Sequence, residues 1–445
     1  GRSLSSDSKE FSFTIGGKRM SSSGIVIKAM GFYSLVSLSF NAISAFAAFG
    51  GSFGNTLASG AKNVHYTNKG IALAAKELAT PGKDKGRAKI IGLWDMLGIS
   101  QENLVYKKAN DLSAQRVNRL LTLDNAFILH RKVDDSIDLL TLGAILQNYG
   151  YDKNGKVQRF AKLPPGTKPL WDYIKIENDQ LSILDPQGNP MSKDEMFRFR
   201  AIVRKVATYN KGNMSREDIN LLQTQILGRL IMQFRGWIPA MAQERFRNTK
   251  YDELLDEVQF GRYRVFFGEL LKSGFLPTAK EYLKIAAEIV KIYRPNGTID
   301  TEASNFYYQK FLFDNPNSNA TKEEFLVARK AQMRAFVSEL GMYMVILPML
   351  AAAFAWGDDD DEKGADYYAL KKVARVMNRT SMELGFFFNP KEGERLIRSP
   401  IPLTGFVIDI MNLTEDVVTL DKNTGKSLLK ITPGGKGLFQ SILPE

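Results

Sequence analysis

The 445 residues, 44% of them hydrophobic, suffice for two or three ordinary domains with a substantial packed core, which argues against global disorder. No cysteine is present, so disulfide frameworks, thiolate nucleophiles and sulfur-ligated metals are excluded, and two histidines, His65 and His130, leave little material for imidazole chemistry. A formal charge of +12 favours anionic surroundings, but basic and acidic residues alternate along most of the chain as on an ordinary solvated surface.

Four stretches are expected: 1–68, 69–150, 151–300 and 301–445. The first is a polar arm, GRSLSSDSKE, without the basic-then-apolar order of a secretory signal, followed by the uncharged run AMGFYSLVSLSFNAISAFAAFGGSFGNTLASGA. Its Ser, Gly and Ala content fits either a closely packed buried helix or a membrane-seeking one. Gly50, Gly51 and Gly54 are expected to end that helix or split it. The abrupt opening at Gly1 and close at LFQSILPE suggest a piece of a larger chain.

From Lys69 to Gly150, amphipathic helices alternate with short loops. Among them, Leu120, Leu121, Leu123, Ile128 and Leu129 give a wide apolar face. His130 shares a helical face with Asp134 and Asp138, which reads as a helix-surface ion pair. Residues Tyr151 to Pro169 read as a polar connection and a place for a hinge. In LWDYIKIENDQLSI, alternation of Ile174 and Ile176, then Leu181 and Ile183, predicts a β-hairpin turning at Asn178 and Asp179. Ser192 and Ser215 are N-caps with acidic first turns, and the central body is read as helical through Arg294.

Thr321 with Glu324 offers a capping box to a helix that becomes very apolar, VSELGMYMVILPMLAAAFAWG, with Pro348 kinking it or ending its first half. Leu340, Tyr343, Pro348, Phe354 and Trp356 mark that stretch as a helix for burial against protein or for a membrane. Another helix, YYALKKVARVMNRTSMEL, and a second hairpin in VVTLDKNTGKSLLKI complete the chain. The expected fold is therefore mostly α, an irregular multi-helix assembly with two small β-hairpins.

No chemical motif is complete. The run Asp358 to Glu362 is consecutive and matches neither an EF-hand nor the alternating aspartates of two-barrel RNA polymerases. Lys426 and Ser427 lack the glycine a phosphate loop needs six positions before the lysine, where Leu420 stands. The DKNG at Asp152 and the GGKG at Gly434 are turns. Catalytic, metal and cofactor residues are accordingly expected to be none. The densest segment interleaves Arg229, Arg235, Trp237, Arg245, Phe246, Arg247, Tyr251, Arg262, Tyr263 and Arg264. Arginines among aromatics suit base stacking and phosphate contact, and Arg235, Trp237, Arg245, Arg247, Tyr251, Arg262, Tyr263 and Arg264 are the candidate interaction residues. Nearby acids Glu244, Asp252, Glu253, Asp256, Glu257 and Glu269 nearly cancel the charge, which weighs toward internal arginine–carboxylate packing.

This segment also carries a resemblance. QFRGWIPAMAQERF, followed by YDELLDE and GRYR, is similar to a stretch of the very large virion proteins of crAss-like and related Bacteroidetes phages. The preceding order of LWDYIKIENDQLSI, FRFRAIVRKVATYNKGN and LGRLIMQF is similar too, and the likeness spans roughly the middle and later two-thirds of the chain. The resemblance implies a non-catalytic cargo or ejection protein held in the capsid or tail and delivered to the host with the genome. Its implied partners are other virion proteins (portal, tail or further cargo), with weak DNA contact and a meeting with the host membrane during ejection. Within that reading the alternatives are a non-catalytic part of a virion-packaged RNA polymerase polyprotein and a DNA-contacting virion protein.

Overall fold

The computed structural model describes residues 12–15, 18–21, 41–80, 86–99, 128–177, 180–212, 237–274, 278–285, 308–313, 315 and 320–355. They are mostly α-helical, and their strands pair only two by two, as antiparallel hairpins. The first pair is β1 (Ser12–Ile15) with β2 (Lys18–Ser21). Helix α1 (Ala42–Lys62) begins where the Asn41 side chain accepts from Ser44 N–H, and it ends at Asn63 in the left-handed region.

The expected break at Gly50, Gly51 and Gly54 does not occur; α1 runs unbroken through all three. Gly51, Gly54 and Gly60 are buried, and α1 packs along the long helix α8 (Lys322–Ala355). Packing of α1 against its neighbours outweighs the roughly 1 kcal/mol each glycine costs a helix. At Gly60 an added Cβ would lie 2.2 Å from the Asn68 amide oxygen.

Helices α2 (Asn68–Ala79), α3 (Gly86–Met96) and α4 (Ile128–Leu146) then surround the first core. Thr67 caps α2 by accepting from Gly70 N–H at 2.9 Å. Gly143 lets α4 cross α2 closely, since a Cβ there would stand 2.7 Å from that of Ala74. The stretch read as a polar connection is instead a hairpin, β3 (Tyr149–Tyr151) with β4 (Val157–Arg159), with short 3-10 turns at Phe160–Lys162 and Leu170–Tyr173. In its turn Asp152 accepts from the amides of Asn154 and Lys156, and Gly155 takes φ +74°.

The predicted hairpin forms as β5 (Ile174–Glu177) and β6 (Gln180–Ile183), with Ile174 opposite Ile183 and Ile176 opposite Leu181. Helix α5 (Lys193–Asn210) is capped at Ser192, which accepts from Glu195 N–H at 3.3 Å. Its buried face, including Phe199, Ile202, Val203 and Val206, joins Ile90, Leu93, Leu142, Ile145 and Leu170. A single core thus draws on both sides of residue 150. A polar knot ties it together: buried Tyr66 donates to Asn210 at 3.0 Å, and Asn210 donates to Thr141 at 2.9 Å.

Helix α6 (Trp237–Phe246) leads to a further hairpin, β7 (Lys250–Asp252) with β8 (Glu257–Gln259), inside the body read as helical. The next helix is α7 (Arg262–Ser273), and helical turns at 278–285 and 308–313 precede α8. The second core is largely aromatic: Phe260, Tyr263, Tyr282, Phe311, Phe325 and Phe336, with Phe266 stacked on Phe336 at 4.5 Å. The capping box opens α8: Thr321 N–H donates to the Glu324 carboxylate at 3.0 Å, and Glu324 N–H to Thr321 Oγ1 at 3.2 Å.

Helix α8 continues through Pro348 without ending. Leu340, Met344 and Val345 are exposed on it and Tyr343 is half-buried. Among the described residues no helix is long and apolar enough to cross a membrane. Trp356, Arg235, the acidic run from Asp358, the Ser215 cap, the YYALKK helix and the C-terminal hairpin lie outside the described residues.

Candidate interaction seam

The arginine-rich segment builds two adjoining charge networks. In the first, α6, α7 and α8 each send a charged group to one point. Glu339, 2% exposed, is bracketed by Arg245, which is fully buried, and by Arg262, whose Nε stands 2.8 Å from the carboxylate. Tyr263 donates to the same carboxylate at 3.4 Å, and Arg245 lies over its ring at 5.6 Å. Arg245 also donates to the Met241 carbonyl one turn back at 3.2 Å. Burying these charges is tolerable only because each is paired, Arg245 through hydrogen bonds and Arg262 through its ion pair with Glu339. Burial pushes the Tyr263 hydroxyl well above its ordinary range, aided by the Glu339 charge.

The second network lies where the β7–β8 hairpin meets the first core. Leu254 and Leu255 at the tip pack into that core, while Val258 and Phe260 at the base belong to the second. Around the leucines the tip's carboxylates meet cations from remote parts of the chain. Lys205 reaches Asp252 at 2.5 Å, Lys162 bonds Asp256, and Arg159 lies 3.7 Å from Glu257 and donates to the Asp256 carbonyl. His65 bridges Tyr149 and Glu257: Nε2 stands 3.2 Å from the carboxylate and Nδ1 2.7 Å from the Tyr149 oxygen. Lys62–Glu244 at 3.4 Å and Lys162–Glu324 at 3.5 Å extend the row on either side.

In each of these pairs the nitrogen-bearing partner lies at or before Lys205 in the chain and the carboxylate at or after Glu244. The electrostatics follow from that arrangement. Burial alone would raise the Glu257 carboxyl, but His65, Arg159 and Lys62 outweigh it and hold it at about 2. Asp256 and Glu244 are likewise held below the usual carboxylate range against burial, the first by Lys162 and Tyr251, the second by Lys62 and Arg247.

The candidate interaction residues are thus placed as follows. Arg245, Arg262 and Tyr263 are buried around Glu339. Arg247 donates to Gln259, pairs with Glu244 at 3.6 Å and lies over the Tyr209 ring. Tyr251 donates to Asp256. Arg264 is exposed and donates to Asn248. Trp237 opens α6. Arg245, Arg247, Arg262 and Arg264 thus each have a partner within the chain.

No family model, curated protein or solved structure matches this chain.

Among the described residues no group of three or more histidines or acids could hold a metal ion. On α4, Asp138 pairs with Lys211 at 2.9 Å beside Asp134 and Asp135. Burial there, with Lys211 partly offsetting the neighbouring carboxylates, leaves Asp134 raised to about 6. The seam partners His65, Lys162, Lys205 and Glu339 escaped the sequence reading, because each is an ordinary polar residue in its own neighbourhood. The only local signal was the acid density of YDELLDE, four carboxylates in seven residues.

Proposed function

We propose that this chain is a structural protein of a tailed-phage virion, packaged in the particle and delivered with the genome, and that its charged central segment is an internal brace. The likeness of QFRGWIPAMAQERF, YDELLDE and GRYR to large virion proteins supports the particle assignment. What supports a structural role for that segment is the Arg245–Glu339–Arg262 cluster, in which two of the motif's arginines join three helices. Its partners in this reading are neighbouring virion proteins. The test is quantitative mass spectrometry of purified particles before and after triggered genome release. A stoichiometric chain in full particles, depleted from emptied ones, is the expected result. Absence from purified particles overturns the proposal, and retention in emptied shells removes its delivery half.

A further inference from the structure

We propose that the tip of the β7–β8 hairpin is an electrostatic clasp that leaves the first core as a unit, ahead of unfolding, when its ion pairs are screened. The inference stands on the seam's geometry and holds whatever the chain's role. Two kinds of contact dock the tip: the apolar pair Leu254 and Leu255, and the carboxylates of Asp252, Asp256 and Glu257. The groups facing these carboxylates are Lys205 from α5, Lys162 and Arg159 from the β4 region, His65 and Lys62 from the end of α1, and Tyr149 from β3.

Three observations favour release of the tip over rupture of either core. Several of the ionic contacts are within reach of solvent ions, with side-chain exposures of 30% for Lys162 and Lys205 and 38% for Asp256. The base of the hairpin is held independently, by the register Lys250↔Gln259 and Tyr251↔Val258 and by Val258 and Phe260 in the second core. Asp256 at the turn takes φ +49°, a left-handed conformation that non-glycine residues enter only when held; its holders are Tyr251 and Lys162. Segregation by sign adds a consequence. Once apart, each face carries like charges, so redocking depends on attraction across the gap, and salt weakens both the pairs and the return.

Native-state hydrogen exchange on the whole chain tests this. The Leu255 amide, which donates to Asp252 at 3.1 Å, reports the tip; the amides of Leu142, Val203 and Phe336 report the two cores. Raising salt from about 0.05 to about 1 M shrinks the screening length from over 10 Å to about 3 Å. Leu255 exchange is then expected to accelerate about tenfold while the core amides hold their rates. Lys162→Met and Lys205→Met keep an aliphatic stem, so each should start fast at low salt and respond less to added salt. Leu255 exchanging in step with the core amides, or at a rate indifferent to salt, overturns the proposal.

Discussion

Replacing Glu339 with leucine removes the carboxylate shared by Arg245 and Arg262 while filling most of its volume. Both guanidiniums stay where packing holds them, at 0% and 3% exposure, now without the anion that compensated their desolvation. Breaking a buried pair from one side costs about 3–5 kcal/mol. Set against a typical total of about 5–15 kcal/mol, that is roughly a fifth or more of the folding free energy. Glu339→Gln keeps an acceptor for Arg245 and Tyr263 but not the charge, so its loss should fall between zero and the leucine value. The triple variant Arg245→Met, Arg262→Leu, Glu339→Leu removes all three charges and is expected to recover most of the loss, because apolar groups of similar size avoid the desolvation cost. Urea unfolding followed by tryptophan emission and by helical circular dichroism reads the midpoint and its slope together. A Glu339→Leu midpoint within about 1 kcal/mol of the parent would mean water reaches the cluster and the brace is not dry.

Asp134→Asn should change the pH dependence of stability. With the Asp134 carboxyl raised to about 6, the folded chain binds more protons than the unfolded one between about 4 and 6, so stability falls as pH rises through that window. The asparagine variant should lack that fall and be the more stable protein at pH 8, by less than about 3 kcal/mol given residual solvent access, with the difference gone near pH 4. Gly143→Leu should destabilise by about 1–3 kcal/mol or more in the same urea assay, since even a Cβ meets Ala74 at 2.7 Å and Ile90 at 3.0 Å. DNA binding measured by fluorescence anisotropy should be weak and salt-sensitive, because Arg245, Arg247, Arg262 and Arg264 already have partners within the chain; tight binding well above physiological salt would contradict that reasoning.

What the sequence made legible were features written in neighbouring residues. Ser192 before Asp194 and Glu195, Thr321 three residues before Glu324, and the alternation from Ile174 to Ile183 each declare a local geometry, and each forms. The misreadings share an opposite cause. Gly50, Gly51 and Gly54 cost an isolated helix stability, whereas α1 forms packed against a helix hundreds of residues away. YDELLDEVQF was absorbed into a helical body because its leucines fit either period, and a short strand pair is fixed by what its tip enters. The interleaved arginines and acids were counted correctly as nearly balanced. Their actual partners, Glu339 for Arg245 and Lys205 for Asp252, lie 94 and 47 positions away, where no local spacing rule reaches.

The through-running glycines of α1 bear on how the chain is made. Helix α1 leaves the ribosome ahead of the helix it lies along, which starts only at Lys322, some 260 residues later. At roughly 5–20 residues per second, its small-residue flank stays uncovered for tens of seconds during synthesis. A helix with so many glycines has little stability alone, so it is expected to remain loosely formed through that interval and to set only when α8 arrives. Loss of α8 by early termination would then be felt some 260 residues upstream, as an α1 helix open to other nascent copies.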